Sequence, residues 1–166
     1  MSGHICDVQH LGCIHCAETG NWNSITSIIL RGEQEADPYH FYLTNDKKAN
    51  TLSELKTEIE NGDIDMEMVA HLDEFNSIDG VVSTYCCVGH IHEKEFGGYI
   101  SFIVDRRTHI FLMKSSYNLP SVINSIELDV CYSRTMRWCM RWQSGKVAEA
   151  MEAIISLLKE SHRRKR

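Results

Sequence analysis

The chain has 166 residues, of which 43% are hydrophobic and 24% charged, with a formal net charge of −6. This composition is ordinary for one globular domain with a substantial core, and no apolar run reaches the length of a membrane span, so we expect no membrane association. The first residues, MSGHICDVQHLGC, lack the basic start and apolar stretch of a signal peptide, so we expect a cytoplasmic protein whose seven cysteines are thiols or metal ligands.

The charge is divided unevenly along the chain. From Cys131 onward there are nine basic and three acidic side chains, whereas the first 130 residues carry eight basic and twenty acidic ones. An acidic body is a poor general binder of phosphate, but the basic C-terminal third can meet RNA or another anion locally. The alternative, which is the more common origin of such a run, is a solvated helix end followed by the tail SHRRKR.

Residues 1–40 form a cysteine- and histidine-rich extension, which we separate from a folded domain over residues 41–166. The CIHC motif at Cys13–Cys16 holds two thiols at a spacing that can chelate one tetrahedral ion. The pattern therefore predicts a zinc site, with the ligands Cys6, His10 (or His4), Cys13 and Cys16. The alternative is a reduced segment without metal. A redox-active CxxC is less favoured, because this one does not begin a helix after a strand.

Two helices are predicted at the start of the domain. NTLSELKTEIENG places Leu52, Leu55 and Ile59 on one face, with Thr51 or Ser53 as its cap and Gly62 at its end. In DIDMEMVAHLDEFNS, Asp63 or Asp65 is the cap, and the apolar stripe consists of Met68, Val69, Leu72 and Phe75. The Asp-Gly pair that follows predicts a turn.

The pattern then changes to the period of a strand. We predict strands at VVSTYC, YISFIV, HIFLM, IELDVCY and MRWCMRW, with DRR as a turn before HIFLM, and a last helix over KVAEAMEAIISLLKESH. In MRWCMRW the tryptophans face the core, and Arg137, Cys139 and Arg141 face the other side. This order predicts an α+β fold with a mixed or antiparallel sheet covered by helices. Because no strand–GxGxxG–helix unit is present, a Rossmann-type cofactor fold is not supported.

Residues 41–91 carry a resemblance to a known family. The features are a basic pair at Lys47–Lys48, a helix, the break NGDID, a second helix ending in Asn76–Ser77, and a strand leading to CCVGHI. In this order they resemble the N-terminal portion of the tRNA wybutosine-synthesizing protein 3 family, a non-Rossmann α/β methyltransferase group. The family stretch typically reads Ser-Cys-Ser-Gly-Arg-Ile. Cys87, Gly89 and Ile91 keep that pattern, whereas Cys86, Val88 and His90 depart from it.

The resemblance implies methyl transfer from S-adenosylmethionine to a nitrogen of a modified guanine in tRNA. It also implies that tRNA or a nucleotide is the partner. The departures remove a serine hydroxyl and a fixed cation at Cys86 and His90, so the fold carries over better than the substrate.

The stretch STYCCVGHIH, Ser83–His92, carries the predicted site. Gly89 lets the backbone approach a bound molecule closely, and His90 can accept a proton near neutral pH. We therefore predict two catalytic residues, His90 and Cys87. The predicted cofactor-binding residues are Thr84, Cys86, Gly89, Arg137 and Arg141. The alternatives are buried strand cysteines with a bulge at the glycine, and an exposed sheet face for the two arginines. A metal site at Cys86, His90 and His92 is a further alternative.

Three functions are consistent with these patterns. The first is an S-adenosylmethionine-dependent RNA or tRNA base methyltransferase. The second is a non-catalytic module, of viral or other origin, that binds a nucleotide, RNA or protein on the same scaffold. The third is a zinc-stabilised interaction protein.

Overall fold

The structure is a computed structural model and describes residues 42–89, 97–116, 118–130 and 136–163. The predicted zinc ligands in the N-terminal extension lie outside these ranges. The described residues form four helices and a four-stranded antiparallel sheet, which confirms the α+β class. The elements are α1 (Asn45–Asn61), α2 (Met66–Asn76), β1 (Val81–Cys87), β2 (Tyr99–Val104), α3 (Arg106–Ser115), β3 (Ile123–Val130), β4 (Met136–Trp142) and α4 (Val147–Arg163).

Helix α1 begins earlier than the sequence pattern predicted. Its cap is Thr44 rather than Thr51 or Ser53, and the Thr44 side chain accepts a hydrogen bond from the backbone N–H of Lys47 at 3.3 Å. The predicted end is confirmed. Gly62 adopts the left-handed conformation at φ +78°, and its N–H donates to the Ile59 carbonyl oxygen.

The predicted strand HIFLM is wrong, because this segment forms helix α3. Asp105 caps the helix, and its Oδ1 accepts a 2.7 Å hydrogen bond from the backbone N–H of Thr108. DRR is therefore a helix start rather than a hairpin turn. A short apolar run does not distinguish a strand from a buried helix turn. The feature of the sequence that favours a helix here is the N-cap residue Asp105. His109 and Leu112 are the side chains of this run that α3 buries completely.

The sheet has the strand order β1-β2-β4-β3, and every neighbouring pair is antiparallel. The register of β1 on β2 shifts between Ser83 and Tyr85, so that Thr84 forms a β-bulge. Beyond the bulge, Cys86 pairs with Ile100 and Cys87 pairs with Tyr99. The bulge matters for the site described below, because it turns the end of β1 relative to helix α1.

One face of the sheet carries the main core. Helices α2, α3 and α4 pack there or against one another, as the sequence predicted for α2 and α4. Trp138 and Trp142 are 3% and 0% exposed, which confirms their predicted place in the core. The fully buried side chains of α4 are Ala150, Met151, Ile154 and Leu158.

Helix α1 contacts β1 and contributes to a second, smaller apolar cluster. That cluster contains Leu43, Val82 and Ile103, with Leu52 of α1 packed against it. Val82 and Val81 are neighbours in a strand and so point to opposite faces, and only Val81 belongs to the main core. Helix α1 therefore reaches this cluster through Leu52, whereas its buried Leu55 belongs to the main core.

None of the described helices is long and apolar enough to cross a membrane.

Candidate functional site

A groove separates helix α1 from strand β1, and it contains two adjoining cavities. The larger has a volume of about 290 Å³, and its polar wall consists of Thr51, Glu54, Glu58, Ser83, Thr84, Tyr85 and Arg137. The smaller is a recess of about 90 Å³, and its wall includes Glu58, Asp63, Thr84, Tyr85, Cys86 and Tyr99. The two cavities share Leu55, Glu58, Ser83, Thr84 and Tyr85. We call them together the α1–β1 groove.

The bulge gives Thr84 its place in this groove. Its hydroxyl donates a 3.0 Å hydrogen bond to the Ser101 carbonyl oxygen on the neighbouring strand, which fixes the side chain at the irregular point of the ladder. The next residue, Tyr85, stands on the sheet face with 56% of its surface exposed. A threonine hydroxyl and a tyrosine ring therefore meet where the two cavities join.

Cys86 lines the recess as a neutral thiol. Burial raises the pKa of Cys86 to about 11, and the nearby acidic groups, Asp65 first among them, add to the effect. The side chain packs against the main core, as its predicted face requires. At neutral pH it is protonated, which makes it a poor thiolate ligand or nucleophile. The predicted role as a cofactor-contacting residue requires no thiolate and stays a prediction.

Cys87 points to the other side of the strand and does not belong to the wall of either cavity. Its sulfur lies 3.4 Å from the backbone nitrogen of Gly89, close enough to accept a weak hydrogen bond. The catalytic role predicted for Cys87 stays a prediction. The other predicted catalytic residue, His90, lies outside the described residues, as does His92 of the alternative metal set.

Gly89 is enclosed by the protein's own backbone. Its φ is +88°, and a Cβ atom at this position would lie 2.5 Å from the backbone nitrogen of Gly98. Its carbonyl oxygen accepts a hydrogen bond from the Ser144 hydroxyl at 3.4 Å. These contacts give a packing reason for glycine here, since the two chain segments meet closer than any side chain permits. Gly89 is not in the wall of either cavity of the groove.

The two predicted arginines contact different tyrosines on the outer face of the sheet. The guanidinium carbon of Arg137 lies 5.1 Å from the Tyr85 ring centroid, and that of Arg141 lies 5.5 Å from the Tyr99 ring centroid. Arg141 also forms an ion pair with Glu127 at 3.2 Å. Only Arg137 reaches the wall of the larger cavity. The two predicted arginines therefore form two separate Arg–Tyr pairs, one at the groove and one beside it.

Sequence reasoning missed the acidic side of the groove. Glu54 and Glu58 are four residues apart on α1 and so share one helix face. Like charges at this spacing destabilise a helix slightly. A like-charged pair beside the buried Leu55 was therefore the sequence feature that could have indicated an acidic wall. With Asp63, they make the groove predominantly acidic, with Arg137 as the cation in the wall of its larger cavity.

Within the described ranges, no cluster of three or more histidine, cysteine, aspartate or glutamate side chains is arranged to hold a metal ion. Zinc at the N-terminal cysteines stays a prediction, because those residues lie outside the ranges.

Comparison with known proteins gives a likeness to solved structures alone. No protein-family model matches the chain, and no curated protein matches it either. Among solved structures, the chain is similar to PH1069 protein from Pyrococcus horikoshii, with a TM-score of 0.43 and 11% sequence identity. The match covers 76% of this chain and 95% of PH1069.

Proposed function

We propose that the chain is an S-adenosylmethionine-dependent, RNA base methyltransferase-like protein whose cofactor site is the α1–β1 groove. One observation carries the proposal. Thr84, Cys86 and Arg137 were each predicted to contact the cofactor, and all three line the α1–β1 groove: Thr84 borders both cavities, Cys86 the recess and Arg137 the larger cavity. Arg137 lies more than fifty positions along the chain from the other two, so its presence in the wall depends on the fold.

The side chains of the groove fit the chemical groups of the cofactor. S-adenosylmethionine has a carboxylate, an ammonium group, a positively charged sulfonium and a flat adenine ring. The Arg137 guanidinium is suited to the carboxylate, and the Glu54 and Glu58 carboxylates favour the two cations. The Tyr85 and Tyr99 rings offer faces or edges to the sulfonium and the adenine. The combined space is at the lower end of the usual range of about 300–1,000 Å³ for small-molecule sites.

When bound, S-adenosylmethionine supplies an electrophilic methyl group. The role of the chain is then to hold the acceptor nitrogen in line with that methyl, since positioning supplies much of the rate of such reactions. Methyl transfer would form the nitrogen–methyl bond, break the methyl–sulfur bond and leave S-adenosylhomocysteine, and His90 is the predicted base that would take the proton from the acceptor nitrogen. A thiolate beside the sulfonium would itself be methylated. The raised pKa of Cys86 removes this side reaction, because its thiol stays protonated.

A non-catalytic binding module is the second candidate. The observation that favours it is the enclosure of Gly89, where the N–H, the carbonyl oxygen and the Cβ direction all meet other atoms of the protein. A module of this kind would bind the cofactor or a nucleotide in the groove and transfer no methyl group.

Binding is tested by calorimetric titration of the full chain with S-adenosylmethionine and with S-adenosylhomocysteine. We expect Arg137→Ala to weaken binding about tenfold or more, the loss of one charge-assisted hydrogen bond. Lys146→Ala is the control, because Lys146 is an exposed cation that is paired with Glu149 and lies outside the groove. Its affinity should stay within about threefold of wild type. Absence of heat and of a thermal shift with both compounds would end the cofactor proposal.

Turnover separates the two candidates. Purified chain is incubated with methyl-tritiated cofactor and tRNA from cells that lack wybutosine modification. Label in the RNA, reduced in Arg137→Ala but not in Lys146→Ala, supports the methyltransferase. Cofactor binding without transfer of label supports the binding module instead.

A further inference from the structure

A second open cavity lies away from the α1–β1 groove, between helices α3 and α4. We call it the α3–α4 cleft. Its volume is about 560 Å³, and its wall includes Arg107, Ile110, Phe111 and Lys114 from α3 and Leu157 and Glu160 from α4. It shares no residue with the groove proposed for the cofactor.

The floor of the cleft is apolar and only partly covered. Phe111 and Leu157 pack at the edge of the main core, and each keeps part of its surface accessible. Ile110 is also half-buried. Partly exposed apolar side chains inside an open cavity gain free energy when a partner covers them, at about 25 cal/mol per Å² of apolar surface.

The rim of the cleft is basic. Arg107 and Lys114 are seven residues apart on α3, which is two helical turns or roughly 10 Å along the axis. At one end of the cleft the buried Thr108 and Ser161 hydroxyls lie 3.5 Å apart, and His162 Nε2 lies 3.4 Å from the Thr108 hydroxyl. The end of α4 therefore lies beside the start of α3.

We propose that the α3–α4 cleft docks an acidic, amphipathic segment of a protein partner. Leucine- or phenylalanine-type side chains of the segment would cover the floor at Phe111 and Leu157. Its carboxylates would pair with Arg107 and Lys114. This is the helix-in-groove mode, in which apolar anchors at i, i+3, i+4 and i+7 supply affinity and flanking charges supply orientation.

The chemistry of the wall favours a peptide over RNA. Two of the three floor residues, Ile110 and Leu157, are aliphatic, whereas single-stranded nucleic acid binds by stacking its bases on aromatic rings.

The test uses the full chain and a phage-displayed library of random sixteen-residue peptides. Enriched peptides are synthesised, and their affinity is measured by fluorescence anisotropy. We expect the enriched sequences to combine Asp or Glu with Leu, Ile or Phe at helical spacing. The double variant R107E/K114E should weaken their binding tenfold or more. The control variant K56E/K146E changes net charge equally at exposed lysines outside the cleft, and it should leave affinity within threefold.

Both variants must keep the wild-type melting temperature to within a few degrees. The proposal is overturned if no peptide family is enriched, if the enriched peptides lack acidic residues, or if R107E/K114E binds them as well as wild type does. It is also overturned if a twenty-nucleotide single-stranded RNA binds the cleft more tightly than the peptides, or if light scattering shows self-association that only R107E/K114E abolishes. Cofactor titration of the same variants is independent of all these results.

Discussion

Asn76 and Ser83 are joined by two hydrogen bonds in the interior of the protein. The backbone N–H of Ser83 donates to Asn76 Oδ1 at 2.8 Å, and Asn76 Nδ2 donates to the Ser83 hydroxyl at 3.0 Å. Asn76 is the last residue of α2, and Ser83 precedes the bulge at Thr84. The pair therefore fixes the end of a helix to the strand segment that forms one wall of the α1–β1 groove.

The Asn76–Ser83 pair should contribute strongly to stability. Asn76→Ala leaves the Ser83 N–H buried without its acceptor, and we expect the free energy of unfolding to fall by about 2–4 kcal/mol. Urea denaturation followed by circular dichroism measures this change. The matched control is Asn61→Ala at the exposed end of α1, which should cost less than about 0.5 kcal/mol. Equal effects of the two substitutions would contradict the structural role of Asn76.

Gly89 and Gly145 form a matched pair of left-handed glycines. Their φ values are +88° and +77°, but a Cβ at Gly145 meets no atom within 4 Å, whereas one at Gly89 meets the Gly98 backbone. Gly145→Ala should cost about 1–2 kcal/mol from backbone strain alone. We expect Gly89→Ala to cost at least about 1 kcal/mol more, because overpacking is added to strain. Thermal unfolding of both variants gives the comparison.

A milder effect of Gly89→Ala than of Gly145→Ala would show that backbone packing is not the reason for the glycine. Loss of cofactor binding at unchanged stability would point in the same direction, towards contact with a ligand.

His109 should make stability depend on pH. Burial lowers the pKa of His109 from 6.5 to about 4, and its Nδ1 accepts a 3.2 Å hydrogen bond from the Trp138 indole N–H. Between pH 4 and 6.5 the unfolded chain binds a proton that the folded chain does not. The stabilisation of the folded state that depends on neutral His109 is thus fully present above pH 6.5 and is lost as the pH falls towards 4. The loss amounts to about 3 kcal/mol.

The measurement is urea denaturation at pH 7 and at pH 4.5, for wild type and for His109→Asn. Asparagine keeps an acceptor near Nδ1 but does not titrate. We expect the variant to lose clearly less stability than wild type on acidification, although carboxylates contribute to both curves. Parallel curves for wild type and His109→Asn are the contrary result.

Cys86 should react slowly with alkylating agents. With a pKa of about 11, its thiolate fraction at pH 8 is about a hundredfold smaller than that of a thiol with the ordinary value of 9.0. We expect iodoacetamide to modify Cys86 at least about a hundredfold more slowly in the folded protein than in the urea-unfolded chain. The Cys87→Ser variant isolates the site for mass spectrometry. A rate within tenfold of the unfolded chain would contradict the protonated thiol.

The sequence by itself determined the elements whose periodicity was long. Helices α1, α2 and α4 have apolar stripes with a period of 3.6 residues, and β4 alternates over seven residues, so pattern alone assigned both type and orientation. The burial of Trp138 and Trp142 followed from that alternation. HIFLM was too short for periodicity to decide, and it became a helix because Asp105 caps its start.

Only the tertiary structure decided where the site lies. Thr84, Cys86 and Arg137 could be proposed from residue type, but their meeting with Glu54 and Glu58 depends on the bulge in β1, on the antiparallel order of the strands and on the packing of α1. The packing of Gly89 was also not predictable from the sequence. Its backbone lies against Gly98, and no local sequence pattern indicates that these two segments approach each other. Local periodicity reports which face of an element is buried. Which faces meet is set by the long-range packing of the whole chain.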